Sequence, residues 1–176
     1  MKNEIHISIF GEQNIPKLEL INYYIKTNNI SEIKPKKGRL AFYVNKTKVK
    51  IYEFSEIPEK RAKDISNNQC VIIVFDMTER KSFTDILDKW IKFLKELKYS
   101  NKIILFGTSS KEDKNALTMT DEQEINYLIE ITGIKGKFYD LRNLNQDKIC
   151  ELIDTLIEQI FEYAQNNINK KDCQIF

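Results

Sequence analysis

The chain has 176 residues, of which 41% are hydrophobic and 31% are charged, and its formal net charge is +2. This length fits one domain, and the apolar content excludes a largely disordered chain. Because the charge is nearly balanced, the chain has no strong overall positive field that would recruit nucleic acid.

The first half of the chain alternates strand-like and helix-like segments. Isoleucines that alternate with polar residues indicate a first strand, which ends before Gly11. Apolar residues at helical spacing follow this strand and indicate a helix. Two β-rich runs on either side of a polar turn predict an antiparallel hairpin. The elements predicted in this half are strands over Lys2–Phe10, Leu40–Val44 and Val49–Phe54, helices over Lys17–Asn28 and Pro58–Asn68, and a polar loop over Asn28–Gly38.

The second half continues this alternation. Cys70–Phe75 reads CVIIVF, and a run without polar positions predicts a strand that is buried on both faces. Thr120–Gln123 has the form of a capping box, which predicts the start of a helix. The other predicted elements are a helix over Thr84–Lys98, strands over Lys102–Phe106 and Phe138–Leu141, a helix end near Gly133, and a last helix from Asn145 with a polar tail after Gln165.

This order of elements predicts a three-layer α/β fold. The sheet is expected to be mainly parallel and six-stranded, with one antiparallel strand and about five helices. Residues 1–165 form the predicted domain, and residues 166–176 are predicted to be a flexible tail. Ligands of such sheets bind at the carboxyl ends of the strands, so the loops at that edge are the place to look for a site.

One segment after the first buried strand is distinctive. Val74-Phe75-Asp76-Met77-Thr78, followed by Ser82-Phe83 and Trp90, resembles the VYDxTxxxSF…W segment of the Ras-superfamily small GTPases, nearest to the Rab and Ras branches. The element order and the chain length agree with that family. The resemblance implies the P-loop small-GTPase fold.

The phosphate loop of that family reads GxxxxGK[ST], and here it is only half kept. Gly11 and Lys17 fall at matching positions, but Pro16 replaces the second glycine and Leu18 replaces the hydroxyl residue that binds Mg²⁺. Proline has no N–H to offer a phosphate, and leucine has no oxygen for a hard cation. Gly11 and Lys17 are therefore predicted to be vestiges of a nucleotide site, with Lys17 alternatively a solvated residue of the first helical turn.

The other nucleotide motifs of the family also depart from its pattern. Lys36 stands at the position of the switch threonine, and the DTAGQ segment becomes Glu53–Ile57, with Ile57 in place of the glutamine that orients water. Lys111 replaces the aspartate that reads guanine, so a donor would meet donors. The SAK loop becomes Leu141-Arg142-Asn143.

Two residues of types that often do chemistry are predicted to be structural. His6 is the only histidine, and it lies between two isoleucines of the first strand. With one histidine and no clustered cysteines, the chain lacks the material for a metal site or a Cys–His pair. Asp76 lies at the end of a strand and is predicted to support the turn there.

The resemblance implies GTP or GDP with Mg²⁺ as ligands, yet these departures predict no cofactor, no metal and no catalytic residue. The chain is thus predicted to be a pseudo-GTPase that binds protein partners, in membrane trafficking or signalling. Two alternatives stay open: a divergent GTP-binding switch with weak GTPase activity, and a structural subunit of a trafficking or ciliary assembly. The family's use of its hairpin implies an effector-type surface formed by Phe42, Tyr43, Tyr52 and Phe54.

The three cysteines are widely spaced, which is typical of a protein in the reducing cytoplasm and not of a disulfide framework. The last four residues, from Cys173 to Phe176, match the C-a-a-X pattern for prenylation, although Gln174 is polar. Lys170 and Lys171 precede this pattern and would favour an anionic membrane. These features predict a cytoplasmic protein that a lipid on Cys173 anchors to the cytosolic face of a membrane.

Overall fold

A computed structural model describes residues 4–15, 17–36, 38–44, 46–109, 121–133, 136–142 and 144–172. Within these ranges the chain forms one sheet with helices on both of its faces. This arrangement confirms the predicted three-layer α/β fold of the P-loop small-GTPase type. None of the helices in these ranges is both long and apolar enough to cross a lipid bilayer.

The sheet contains every strand that the sequence predicts, together with one further edge strand. Its order is β2-β3-β4-β1-β5-β6-β7, and all neighbours are parallel except at β3, which runs against both β2 and β4. The strands are β1 Glu4–Phe10, β2 Glu32–Lys36, β3 Arg39–Val44, β4 Thr47–Phe54, β5 Cys70–Asp76, β6 Lys102–Thr108 and β7 Gly136–Asp140.

The helices follow the predicted order. The third of them, α3, begins as Arg80–Asp85, passes through a π-helical segment, Ile86–Ile91, and ends as Lys92–Glu96. A capping box formed by Asp121 and Glu124 starts α4, one residue later than the sequence suggests, and Gly133 ends it at a positive φ of 63°. The remaining helices are α1 Glu19–Thr27, α2 Ala62–Ser66 after a 3-10 turn at Glu59–Arg61, α4 Glu122–Thr132 and α5 Gln146–Asp172.

Two segments correct the sequence prediction. Glu32–Lys36, which was predicted as part of a loop, is the edge strand β2 and pairs with β3. Helix α5 continues to Asp172, although a flexible tail was predicted from residue 166. A polar stretch without glycine or proline does not end a helix, so polarity alone misplaced this boundary.

Each face of the sheet carries its own core. Alternate residues of β1 and β4, such as Ile7 and Ile51, pack with α1 and α5 on one side. Helices α3 and α4 cover the other side, where Phe10 stacks on Trp90 at 4.9 Å between ring centroids. Between these cores, the carboxyl ends of the parallel strands place the loop after β1 beside the loops after β4 and β5.

Candidate functional site

The loop after β1 enters the carboxyl edge of the sheet at Gly11. The Gly11 amide donates to the Phe54 carbonyl at 3.2 Å, which holds the loop against the end of β4. A Cβ atom at this position would lie 2.5 Å from the Val74 carbonyl oxygen on the other side. Only glycine therefore lets the chain pass between β4 and β5 at this point.

Two backbone amides of the loop, those of Ile15 and Lys17, donate to carbonyls of the loop itself. The Ile15 amide donates to the Glu12 carbonyl at 3.2 Å, and the Lys17 amide donates to the Ile15 carbonyl at 2.8 Å. The Ile15 side chain is buried in the core beneath α1 and α5 and holds this conformation in place. A phosphate loop works by aiming such amides at its ligand, and these two are turned inward.

The Lys17 side chain is buried, with 1% of it exposed, and its ammonium meets oxygen atoms of the protein itself. Nζ donates to the Glu12 carbonyl at 2.5 Å and to Ser55 Oγ at 3.1 Å. It lies 3.5 Å from both the Ile15 carbonyl and Glu53 Oε1. The interpretation of Lys17 as a solvated helix residue is therefore wrong.

Electrostatics at Lys17 reflect two opposing effects. Burial lowers the pKa of the Lys17 ammonium from its ordinary value, because the charged form loses hydration. The Glu53 carboxylate opposes that shift by attraction and by hydrogen bonding. The ammonium is thus a buried cation whose counter-charge, Glu53, comes from the end of β4.

A second set of charged groups contacts the loop after β1 from helix α3. From the π-helical segment of α3, Lys89 Nζ donates to the Ser55 carbonyl at 3.1 Å and lies 3.7 Å from Glu12 Oε1. Burial raises the pKa of Asp85, and its hydrogen bond with the negative Glu12 raises it further. The loop therefore presents carboxylates where a phosphate would have to approach.

The chemistry of these residues does not fit a magnesium nucleotide. Leu18 is partly buried against the core and has no oxygen to give a cation. Within the described ranges, no group of three or more His, Cys, Asp or Glu side chains could hold a metal ion. Lys36 lies in β2, and Pro16 falls outside the described residues.

At the far side of the same edge, the guanine-reading positions are engaged in structural contacts. Thr108 Oγ1 donates to the Phe75 carbonyl at 3.1 Å. Arg142 grips Asp140 with two side-chain hydrogen bonds, of 3.0 Å to Oδ1 and 2.7 Å to Oδ2. This contact lowers the pKa of Asp140 against the opposing effect of burial. Lys111 and Asn143 lie outside the described residues.

Asp76 supports the turn that follows β5. Its Oδ1 accepts hydrogen bonds from the Thr78 amide at 2.7 Å and the Thr78 hydroxyl at 2.6 Å. The Asp76 amide donates to Ser82 Oγ at 2.9 Å, which ties the turn to the start of α3. These contacts explain the Asp, Thr and Ser of the family-like segment as structural residues.

The four residues of the predicted effector-type surface lie in different environments. Phe42 is fully buried and packs 6.3 Å from the Tyr24 ring, so it belongs to the core and corrects the prediction at that position. Tyr43 is 51% exposed, whereas Tyr52 is largely covered by Arg61 at 4.6 Å from its ring. Phe54 is partly buried beside Phe10. Cys173 lies outside the described residues.

Sequence reasoning found Gly11 and Lys17 but missed the groups that surround the ammonium. Lys89 belongs to no motif of the resemblance, and Ser55 lies in the altered DTAGQ segment at a position with no predicted role. They reach the loop from α3 and from the turn after β4. A glutamate at the start of the altered DTAGQ segment was visible in the sequence. Its pairing with Lys17 depends on the fold and could not be derived from spacing.

Comparison with known proteins gives one finding on the family. A family model described as the Ras family matches residues 7–162, which is most of the chain. The match includes the loop after β1 and all seven strands except the first three residues of β1. No curated protein matches the chain significantly.

Proposed function

Since this chain belongs to the Ras family, we propose that it is a pseudo-GTPase, a small-GTPase-like protein that binds partner proteins without using GTP. The observation that carries the proposal is the environment of Lys17. Two backbone carbonyls, one hydroxyl and one carboxylate of the chain itself surround its ammonium. In a working phosphate loop, that ammonium is the group that neutralises the nucleotide phosphates.

Entry of a nucleotide would require these contacts to be exchanged. A hydrogen bond to a charged group is worth about 1.5–3 kcal/mol, so breaking the bonds to Glu12 and Ser55 opposes binding. The Glu12 carboxylate would also repel the incoming phosphates. The inward-turned amides of Ile15 and Lys17 would have to break their own bonds as well.

The same contacts favour a single conformation. A GTPase switches because the γ-phosphate holds segments that are released after hydrolysis. Here the end of β4 and the turn after it are held by Lys17 and Lys89, through Glu53 and Ser55. We therefore expect a protein whose binding surface is always formed.

Nucleotide occupancy of the purified protein tests the proposal. The protein is purified with Mg²⁺ present, denatured, and its supernatant is separated by ion-exchange chromatography. We expect no more GDP or GTP than a mock preparation contains. Near-stoichiometric nucleotide that disappears in Lys17→Ala would instead support the divergent GTP switch.

The location of this activity is a further part of the proposal. A prenyl group on Cys173 would anchor the protein to a cytosolic membrane face, where trafficking and signalling proteins meet their partners. One lipid chain binds a membrane only marginally, so Lys170 and Lys171 would add needed affinity.

Mass spectrometry of protein from eukaryotic cells tests this anchor. We expect a prenyl adduct on the C-terminal peptide, and a shift from membrane to cytosol in Cys173→Ser. An unmodified tail on a protein that co-purifies with stoichiometric partners would favour the subunit of a larger assembly.

A further inference from the structure

The sheet has one polar face over β3, β4 and the beginning of β1. Residues in register across three strands project to the same side, and the alternate residues project to the other. The residues between them, such as Val49 and Leu40, are buried against α1 and α5. The rows on this side are Tyr43, Lys48 and Glu4, then Ala41, Lys50 and His6, then Arg39, Tyr52 and Ser8, of which Ala41, Tyr52 and Ser8 are buried.

The first two rows remain partly open to solvent. The exposed fraction of the side chain is 34% for His6, 30% for Lys48 and 16% for Lys50. Tyr43 at the outer edge is 51% exposed. We call the surface formed by Glu4, His6, Arg39, Tyr43, Lys48, Lys50 and Arg61 the basic face.

Positive charge exceeds negative charge on this face. Glu4 Oε1 is shared by two ammonium groups, at 2.5 Å from Lys50 and 3.7 Å from Lys48, while Oε2 lies 3.1 Å from His6 Nε2. The cations lower the pKa of Glu4 to about 2, so it is ionised at any physiological pH. Each ammonium has three donors, and one carboxylate cannot satisfy both.

Two arginines extend the positive charge along the face. The Arg39 and Arg61 guanidinium groups lie 5.4 Å and 4.6 Å from the centre of the Tyr52 ring. Arg61 also pairs with Asp64 at 3.2 Å. Four cations thus share the face with two carboxylates.

We infer that the basic face docks an acidic segment of a partner protein, with Tyr43 as its aromatic contact. The inference rests on the proposed role as a protein-binding module and adds where the partner sits and what chemistry it has. Carboxylates of the partner would take the ammonium donors that Glu4 leaves to solvent. An exposed tyrosine beside paired charges is the kind of residue that supplies much of an interface's energy.

An acidic protein segment fits this face better than an anionic membrane. The ammonium groups of Lys48 and Lys50 lie beside Glu4, and their side chains are only 30% and 16% exposed, so a flat layer of lipid headgroups would make few contacts with them. A carboxylate on a peptide side chain can enter between the two rows. Electrostatic docking of this kind weakens as salt is added.

Binding of a synthetic peptide tests the inference. The probe is a fluorescein-labelled peptide of Glu and Asp residues around one Leu, and the control is its Gln and Asn counterpart. Fluorescence anisotropy gives the affinity, and chemical-shift changes in ¹⁵N-labelled protein locate the site. We expect the acidic peptide alone to bind and to shift the amides of Tyr43, Lys48, Lys50 and His6.

Matched variants distinguish binding at the basic face from an effect of the protein's net charge. The double variant Lys48→Glu/Lys50→Glu is expected to bind the acidic peptide about tenfold more weakly, or weaker still. Lys92→Glu with Lys95→Glu, at exposed positions of α3, changes the net charge equally and is expected to leave affinity within about twofold. Glu4→Gln removes the competing carboxylate and is expected to tighten binding, which a merely unfolded variant could not do.

Three results would overturn the inference: equal losses in both double variants, shifts elsewhere on the surface, or no effect of Glu4→Gln. Flotation with phosphatidylserine–phosphatidylcholine vesicles tests whether the basic face binds an anionic membrane. Vesicle binding that depends on Lys48 and Lys50, without peptide binding, would assign the face to lipid instead. Bound nucleotide in the same preparation would overturn the proposed pseudo-GTPase but leave peptide docking intact, so the two failures are distinguishable.

Discussion

The Lys17 ammonium has exchanged an external anion for internal oxygens. Burial of a cation is costly unless hydrogen bonds and a counter-charge replace its hydration. Here Glu53 at the end of β4 supplies the counter-charge, and Ser55 just after that strand accepts a hydrogen bond. Lys17 is therefore expected to contribute to stability and not to ligand affinity.

Lys17→Met tests that role. Methionine keeps much of the side-chain volume but removes the donor, which leaves the Glu12 carbonyl and Ser55 without the ammonium. We expect the free energy of unfolding to fall by about 1–3 kcal/mol in urea denaturation, whether or not GDP is present. Lys26→Met, at an exposed position of α1, is the control and should change little. A stability unchanged by Lys17→Met would contradict the role.

Glu4→Gln is expected to change the free energy of unfolding by an amount that depends on pH. The folded pKa of Glu4 is about 2, below its ordinary value of 4.5, so the unfolded state binds the proton more tightly. The stability that Glu4 adds is then present above about pH 4.5 and is lost as the pH falls towards 2.

We expect wild type to exceed Glu4→Gln by less than about 1 kcal/mol at pH 5, since the pair is near the surface. The difference should shrink as the pH falls below 4.5 and vanish only below about pH 2, as measured by chemical denaturation at each pH. The exposed Glu59 provides a control in Glu59→Gln. A difference that persists in acid would point to packing instead of charge.

For individual residues, the sequence predicts which positions matter in the loop after β1 but does not predict the residues that they contact. Gly11 and Lys17 were identifiable because the loop motif has fixed spacing. The contacts of Lys17 with Ser55 and of Lys89 with Glu12 join residues far apart in the chain. No local pattern records such pairs, because they depend on which strands become neighbours.

Among the elements, α3 shows how local geometry serves the loop after β1. Its π-helical segment carries Lys89 to the Ser55 carbonyl while Trp90, the next residue, is buried under Phe10. π-helical turns are rare inside α-helices and frequently occur at functional sites. The helix thus both closes the core and covers the loop.

The capping box of α4 allows a prediction for that element. Asp121 Oδ1 accepts the Glu124 amide at 2.8 Å, and Glu124 reaches back to the Asp121 amide. Asp121→Ala is expected to cost about 1 kcal/mol in the free energy of unfolding, because the first turn loses its cap. Thermal and urea denaturation measure the change. Gln123→Ala, in the same turn but outside the box, should lie near wild type.

Two elements were beyond sequence reasoning for identifiable reasons. Strand β2 contains one apolar residue, Ile33, and a proline, so it lacks the alternation of a half-buried strand. An edge strand needs only backbone pairing with β3, which the sequence does not display. The helix beyond residue 165 lacks an apolar stripe, which is the signal that predicts helices.

For the whole molecule, addition of nucleotide is the clearest perturbation. A ligand at 1 mM with a dissociation constant of 1 µM would stabilise the fold by about 4 kcal/mol, which raises the melting temperature by about 10 °C. We expect GDP or GTP with Mg²⁺ to shift it by less than about 1 °C.

Differential scanning fluorimetry measures this shift. The controls are MgCl₂ alone and nucleotide with EDTA, which separate a metal effect from nucleotide binding. A rise of several degrees that needs both nucleotide and Mg²⁺ would contradict the proposed loss of function.

The overall architecture was predictable because it depends on long patterns. The CVIIVF run of β5 and the stripe of α5 each extend over many residues, so errors at single positions cancel. The family-like segment at the end of β5 added the kind of α/β fold, the P-loop small-GTPase fold, which periodicity alone does not give. The sheet between β3 and β1 is partly exposed because the short helix α2 covers little of it. The sequence does not show how much of the sheet a helix will cover.

The tight passage at Gly11 has a consequence for mutational surveys. If every amino acid were introduced at position 11 and cells were screened only for folded protein, glycine would still be recovered, since a methyl group would collide with the Val74 carbonyl. Lysine at position 17 would be enriched in the same screen through its internal bonds. Intolerance of these two positions to substitution would then report on chain assembly, and would say nothing about a bound nucleotide.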